Sequence, residues 1–265
     1  MKIRITIAVL LITMLAFVAC KKKAEQSPNA EISQQITTFA PLPSFKQVYE
    51  VLDKIQVRDI SAAVPDTLYK TKQEEVRNSF SLGLLTADAV LAAKGRNKSK
   101  LSEISASMMN LTALLGLESE VNRLGDQMKT MIENEQWEEL DKALDFHKAD
   151  VESKLWENEN FDDYTMMLLG GWIEAANRVA WLIHQNYSAE RTKVLRQKGT
   201  FNSLVQNMKQ ISAPHITQQD AYKETLTLLE DIKKVIDNDH EGVYSKEQLQ
   251  EIITYTDKIK ATMQK

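Results

Sequence analysis

The sequence predicts an all-α protein, built as a bundle of eight to nine antiparallel helices. Three observations support this fold class. Glycine is scarce, with 8 residues in 265, and Pro65 and Pro214 are the prolines after residue 44. Apolar residues recur at steps of three and four, which is the spacing of one face of a helix. No five-residue run shows the alternation that is typical of a half-buried strand.

Apolar periodicity and local end signals place the helices along the chain. Two glycines follow periodic runs and suit the left-handed geometry that ends many helices: Gly95 and Gly116. Three hydroxyl residues precede periodic runs and can accept the first free amides: Ser99, Thr217 and Ser245. Gln248 follows Ser245 at the spacing of a capping box. The predicted helices cover 44–57, 70–94, 99–115, 118–134, 136–158, 161–186, 189–211, 218–238 and 245–263.

Two of the predicted helices, 70–94 and 161–186, resemble each other. Each places glycine in its middle and follows it with apolar residues, small residues and an acid, with Gly83 matching Gly171. The match suits a duplicated four-helix unit, in which the helices of 70–158 form one copy and those of 161–263 form the other. The identity is thin, so a bundle without duplication stays open.

The first twenty residues, MKIRITIAVLLITMLAFVAC, differ in composition from the rest. Two basic residues precede an apolar run over positions 5–18, which is shorter than the roughly 20 residues a membrane-spanning helix needs. The run ends in Ala19 and Cys20. This order resembles the signal peptide of a bacterial lipoprotein. The resemblance implies cleavage after Ala19 and attachment of a diacylglycerol and an acyl chain, such as palmitate, to Cys20.

The resemblance sets the expected domain organisation and location. Residues 1–19 are a signal peptide, 20–43 hold the lipidated cysteine and a polar, proline-punctuated tether, and 44–265 form an all-helical domain. The expected partner of Cys20 is a membrane. Lys21, rather than Asp, follows the cysteine, and in this family that favours the outer membrane over the inner membrane.

The net charge of the chain and the absence of known motifs limit the functions that the sequence supports. The formal net charge is −4, so the chain has no basic excess for nucleic acid. Cys20 is the single cysteine, which excludes a disulfide within the chain. The four histidines show no zinc-binding spacing, and no nucleophile elbow, phosphate loop or dinucleotide fingerprint is present. The sequence therefore predicts no metal, no cofactor and no enzymatic activity.

The most unusual local feature is the double glycine Gly170-Gly171 inside a predicted helix. Each glycine in a helix costs about 0.8–1.0 kcal/mol relative to alanine. One interpretation is a close helix crossing against the small-residue face around Gly83. The other is that the glycines open space for a ligand or allow a kink.

Charged and polar residues follow both glycine segments. Glu174 and Arg178 lie four residues apart on one helix face, and Asp88 is the corresponding acid on the first glycine helix. Asn177 and Trp181 lie on an adjoining face. If the two glycine helices cross centrally, the three charged groups meet inside the body. Such a cluster is either a structural ion network or a polar ligand site.

Three functions remain from the sequence. The first is a lipid-anchored cell-envelope protein that acts as a non-enzymatic binding or scaffold module with an unknown partner. The second is a small-molecule or ion-binding lipoprotein that uses the central Asp/Glu/Arg cluster. The third is an enzyme of unrecognised type.

Overall fold

The computed structural model describes residues 75–265 together with Asp53, Ile60, Ala63 and Val64, and the side chains of residues 75, 118–124 and 126 lie outside this description. Four features predicted from the sequence also lie outside the described residues. They are the signal peptide 1–19, the lipidated cysteine with its tether 20–43, nearly all of helix 44–57, and positions 70–74 of the second helix. The described residues belong to one compact unit.

Eight helices of 13 to 25 residues run through residues 75–265. They are α1 (Glu75–Lys94), α2 (Lys98–Leu114), α3 (Glu118–Glu133), α4 (Trp137–Glu157), α5 (Phe161–Gln185), α6 (Lys198–Gln210), α7 (Asp220–Asp237) and α8 (Lys246–Met263). Short helical turns lie at Ala189–Thr192, Lys193–Leu195 and Pro214–Thr217. This stretch forms no strand, only an isolated bridge between His240 and Val243. The predicted all-α class is confirmed.

Helices α1 and α5 form the centre of the bundle. Of the 25 residues of α5, 20 are buried, and α1 is buried throughout from Asn78 to Ala93. Helices that are buried all round occupy the middle of a bundle. The two helices run in the same direction, because Ser79 contacts Asp163 near their starts and Asp88 contacts Arg178 further along. The parallel direction fits an up-and-down order, since three intervening helices return the chain to its starting end.

The glycines explain how closely the central helices approach. A Cβ atom built on Gly83 would lie 2.0 Å from the carbonyl oxygen of Met167, and one on Gly170 would lie 2.0 Å from that of Phe80. Both distances are far below the closest approach of real Cβ atoms. The two contacts are reciprocal, because each glycine faces the residue three positions before the other glycine. Backbone meets backbone here, and any side chain would force the helices apart.

The remaining helices form two sets around this centre. In the first set α1 packs on α2, α2 on α3 and α3 on α4, and α4 returns to α1. In the second, α5, α6, α7 and α8 follow the same order, and α8 returns to α5. This arrangement has the topology of two four-helix units. A duplication as the origin of the two units, with Gly83 matching Gly171, stays a prediction.

Helices α1 to α4 all end in the same hydrogen-bonded motif. In each, one residue has a positive φ, and its amide and the next one bond back to the last turn; these residues are Arg96, Gly116, Glu135 and Glu159. The prediction for Gly116 is confirmed, with φ of 72°. The prediction for Gly95 is wrong, because the Gly95 amide still donates to the Leu91 carbonyl in the helical pattern and Arg96 takes the left-handed position with φ of 53°.

We expect Glu135→Gly and Glu159→Gly each to stabilise the protein by about 0.5–1 kcal/mol. Left-handed backbone costs a residue with a Cβ about 1–2 kcal/mol, and glycine loses about 0.5–1 kcal/mol more on folding than alanine. Both glutamates are exposed, so their side chains contribute little packing. Chemical denaturation measures the change. Glu251→Gly, at an exposed position inside α8, is the control and should destabilise by about 1 kcal/mol.

The predicted helix 189–211 is wrong in its first half, where the chain turns between Thr192 and Lys198. The break allows two contacts with distant parts of the chain. The Thr192 hydroxyl accepts a 3.0 Å hydrogen bond from the buried Tyr244 amide. Lys198 Nζ lies 2.5 Å from Asp239 Oδ1, which ties the start of α6 to the loop after α7. A continuous helix would move these groups away from their partners.

Of the three predicted N-caps, one is confirmed. Ser245 accepts a hydrogen bond from the Gln248 amide, and the Gln248 side chain accepts one from the Ser245 amide, which completes the capping box. The prediction for Ser99 is wrong, because Asn97 caps α2 by accepting a hydrogen bond from the Lys100 amide. Thr217 is also wrong, because it belongs to the short helix before α7.

Candidate functional site

The structure brings Asp88, Glu174 and Arg178 together between α1 and α5. Arg178 Nε lies 2.5 Å from Glu174 Oε1 and 3.8 Å from Asp88 Oδ1. Only 1% of Asp88 and 0% of Glu174 is exposed, whereas 18% of the Arg178 side chain is. The cluster therefore lies inside the body with the guanidinium at its edge. It begins one turn after the glycine crossing, which holds α1 and α5 at the short separation the contact needs.

Helix α8 supplies residues that the sequence did not single out. Lys260 Nζ lies 3.1 Å from Glu174 Oε2 and 3.1 Å from Asp257 Oδ1. Asn177 Nδ2 donates to Thr256 Oγ1 at 2.9 Å and to Asp257 Oδ1 at 3.0 Å. These contacts connect α5 to α8. Glu174 is the central group of the cluster, because both of its oxygens face a cation.

A sequence signal for the α8 residues does exist. Thr256 and Lys260 fall on the apolar stripe of α8, which continues through Ile253 and Met263. A lysine in a row of buried positions indicates a buried anionic partner, because lysine is rarely buried without one. The sequence does not identify that partner, since it lies on a helix far away in the chain.

Burial and neighbouring charges shift the pKa values of the two carboxyl groups in opposite directions. Burial and the nearby Glu174 charge raise the pKa of Asp88 well above its ordinary value. Burial also acts to raise the pKa of Glu174, but Lys260, Arg178 and a hydrogen bond with Asp88 outweigh it and lower that pKa. Neither carboxyl oxygen of Asp88 accepts a hydrogen bond within the described part of the chain. These opposite pKa shifts favour the neutral form of Asp88 and the ionised form of Glu174.

The other predicted site residues have structural surroundings. Gly170 and Gly171 are buried at the crossing with α1, and the backbone of Phe80 fills the space beside Gly170. At Gly170 this geometry fits the close-crossing interpretation. The amide nitrogen of Gly171 faces Gly83 in the same crossing. Trp181 is half-buried and packs against the apolar core.

A small pocket, with space of only about 10 Å³, lies two turns before the cluster along α5. Its lining is mostly apolar and includes Met166, Met208, Tyr222 and Met263. No member of the charged cluster lines it. Among the described residues no group of three histidine, cysteine or acidic residues could hold a metal ion. None of the helices in this part of the chain is long and apolar enough to span a membrane.

Comparison of the chain with family models, with curated proteins and with solved structures gives no match.

Proposed function

We propose that the chain is a lipid-anchored protein of the bacterial cell envelope whose helical body is a non-enzymatic binding or scaffold module. The observation that supports this proposal is that the central charged groups pair with one another. Glu174, Arg178 and Lys260 are directed at one another and connect α5 with α8. A reactive or ligand-binding group has to face a space that a substrate can enter. Charges arranged in this way stabilise the body and leave its outer faces for a partner.

The proposed location of the protein rests on its first residues. The basic, apolar, small-residue and cysteine order supports cleavage before Cys20 and lipidation of its sulfur. Two or more acyl chains give stable anchoring, whereas a single chain gives only marginal binding. Lys21 supports sorting to the outer membrane, and the polar stretch to residue 43 is long enough to hold the body away from the lipid.

We expect Cys20→Ser to abolish membrane anchoring, because serine offers no sulfur for the lipid. Mass spectrometry of the membrane-extracted wild-type protein should show an acylated Cys20 at the mature N-terminus. Lys21→Asp is the matched control: it keeps the cysteine and should move the lipidated protein to the inner membrane. A wild-type protein that begins at any other residue, or a Cys20→Ser protein that still fractionates with membranes, contradicts the proposed anchor.

The alternative is a small-molecule or ion site at the same cluster. It draws on one observation, the absence of any hydrogen bond to the oxygens of Asp88 in the described part of the chain. A thermal-shift screen of residues 24–265 against metal salts and metabolites tests it, because a ligand of the folded state raises the melting midpoint. A ligand that stabilises the wild type but not Arg178→Met supports the alternative. Equal stabilisation of both proteins places the ligand elsewhere.

A further inference from the structure

We infer that Asp88 and Glu174 share a single proton in the folded protein, and that its loss at higher pH loosens the contact of α1 with α5. This pH-sensitive device is separate from the proposed anchoring. It does not depend on a partner or on the location of the protein.

The geometry requires a proton at this position. Asp88 is almost completely buried, and within the described part of the chain no donor bonds to either of its oxygens. The nearest cation atom is Arg178 Nε at 3.8 Å, which is beyond hydrogen-bond distance. An ionised carboxylate buried without donors is strongly unfavourable. A protonated Asp88 is neutral, and it can donate its proton to the carboxylate of Glu174.

The charges of the cluster balance with one proton. Asp88 comes from α1, Glu174 and Arg178 from α5, and Asp257 and Lys260 from α8. Three carboxyl groups face two cations, so one bound proton makes the total zero. Within the described residues, the charged groups that act on Asp88 are Glu174, Arg178 and Lys260, and α2 and α4 add none. The proton resides on Asp88 because Glu174 has both cations within 3.1 Å.

The sign of the pH effect follows from this assignment. Asp88 has a raised pKa in the folded state, so its contribution to stability is full below the ordinary aspartate pKa of about 3.9 and is lost as pH rises through the folded pKa. Glu174 has a lowered pKa, so its contribution is present above its ordinary pKa and is lost only in acid. Above about pH 5 the Asp88 effect is therefore the one that remains. Loss of the proton to bulk water leaves a second negative charge beside Glu174.

The melting midpoint of the full chain in detergent, measured between about pH 5 and about pH 8, tests the inference. As the pH rises through that range, the wild-type midpoint should fall relative to that of Asp88→Asn. The expected fall is about 3–5 °C for each pH unit, up to the pKa of Asp88 in the folded protein. Asparagine imitates the protonated acid and has no proton to lose. Asp220→Asn, which removes a fully exposed carboxylate, is the matched control and should follow the wild type.

Infrared spectroscopy of the wild-type protein gives a second, independent measurement. A protonated carboxyl band should persist at pH values where exposed carboxyl groups are ionised, disappear reversibly at higher pH, and be absent from Asp88→Asn. Two results overturn the inference. One is an Asp88→Asn protein whose midpoint follows the wild type across the pH range. The other is a wild-type protein without the protonated band near neutral pH, and this reading holds even if Asp88→Asn does not fold.

Discussion

Glu174→Gln is expected to lower the free energy of unfolding by about 3–5 kcal/mol, the cost of breaking a buried ion pair by removing one partner. Arg178 Nε lies 2.5 Å from one carboxylate oxygen of Glu174, and Lys260 Nζ lies 3.1 Å from the other. A neutral amide in the same place leaves Lys260 buried beside Asp257 alone. It also replaces an acceptor oxygen with an amide group that donates toward a cation.

Asp88 is expected to reduce part of this loss. Without the Glu174 charge the main like-charged neighbour of Asp88 disappears, and Arg178 becomes available as its partner. The Asp88 carboxyl should then ionise near neutral pH. The double variant Asp88→Asn/Glu174→Gln cannot respond in this way. It should therefore be less stable than the sum of the two single changes predicts, which is the sign of directly coupled residues.

Chemical denaturation of these single and double variants measures the effects. Arg178→Met should cost less than Glu174→Gln, because Lys260 still neutralises Glu174 and because Arg178 is partly exposed. Glu251→Gln removes an exposed carboxylate from α8 and should leave the midpoint unchanged. A Glu174→Gln protein within about 1 kcal/mol of the wild type would show that the buried pair contributes little, as in exposed ion pairs.

Local patterns were sufficient to predict most of the helices and half of the cluster. The step of four that places Glu174 above Arg178 is a property of a single helix, so the sequence contains it. The meeting with Asp88 followed from one interpretation of the glycines, a close helix crossing, which the structure contains. Lys260 was missed because its partner is set by the packing of α8 against α5, and that contact is not local in the sequence.

The errors at helix ends have a different cause. Arg96, Glu135 and Glu159 occupy left-handed positions where glycine is usual, so the residue type carried no end signal. The break near Thr192 depends on the Tyr244 amide, which arrives from a loop about fifty residues later. In both cases tertiary contacts outweigh the local preference of the chain.

Gly83→Ala and Gly170→Ala are each expected to destabilise the protein by about 1–3 kcal/mol or more, the range for overpacking a tight contact. The added methyl would lie 2.0 Å from a backbone carbonyl oxygen of the facing helix. Backbone cannot rotate aside as a side chain can, so α1 and α5 must separate along their length. That separation also weakens the Asp88 to Glu174 contact, which begins one turn further on.

The matched control for these changes is Gly199→Ala. Gly199 lies in the first turn of α6 and is exposed, and a Cβ atom built on it has no neighbour within 4 Å. This substitution should stabilise by up to about 1 kcal/mol, because alanine is the better helix former. The double variant Gly83→Ala/Gly170→Ala should cost less than the sum of the single changes, because the first methyl already separates the helices. Stabilisation by all three single variants, measured by chemical denaturation, would contradict the close crossing.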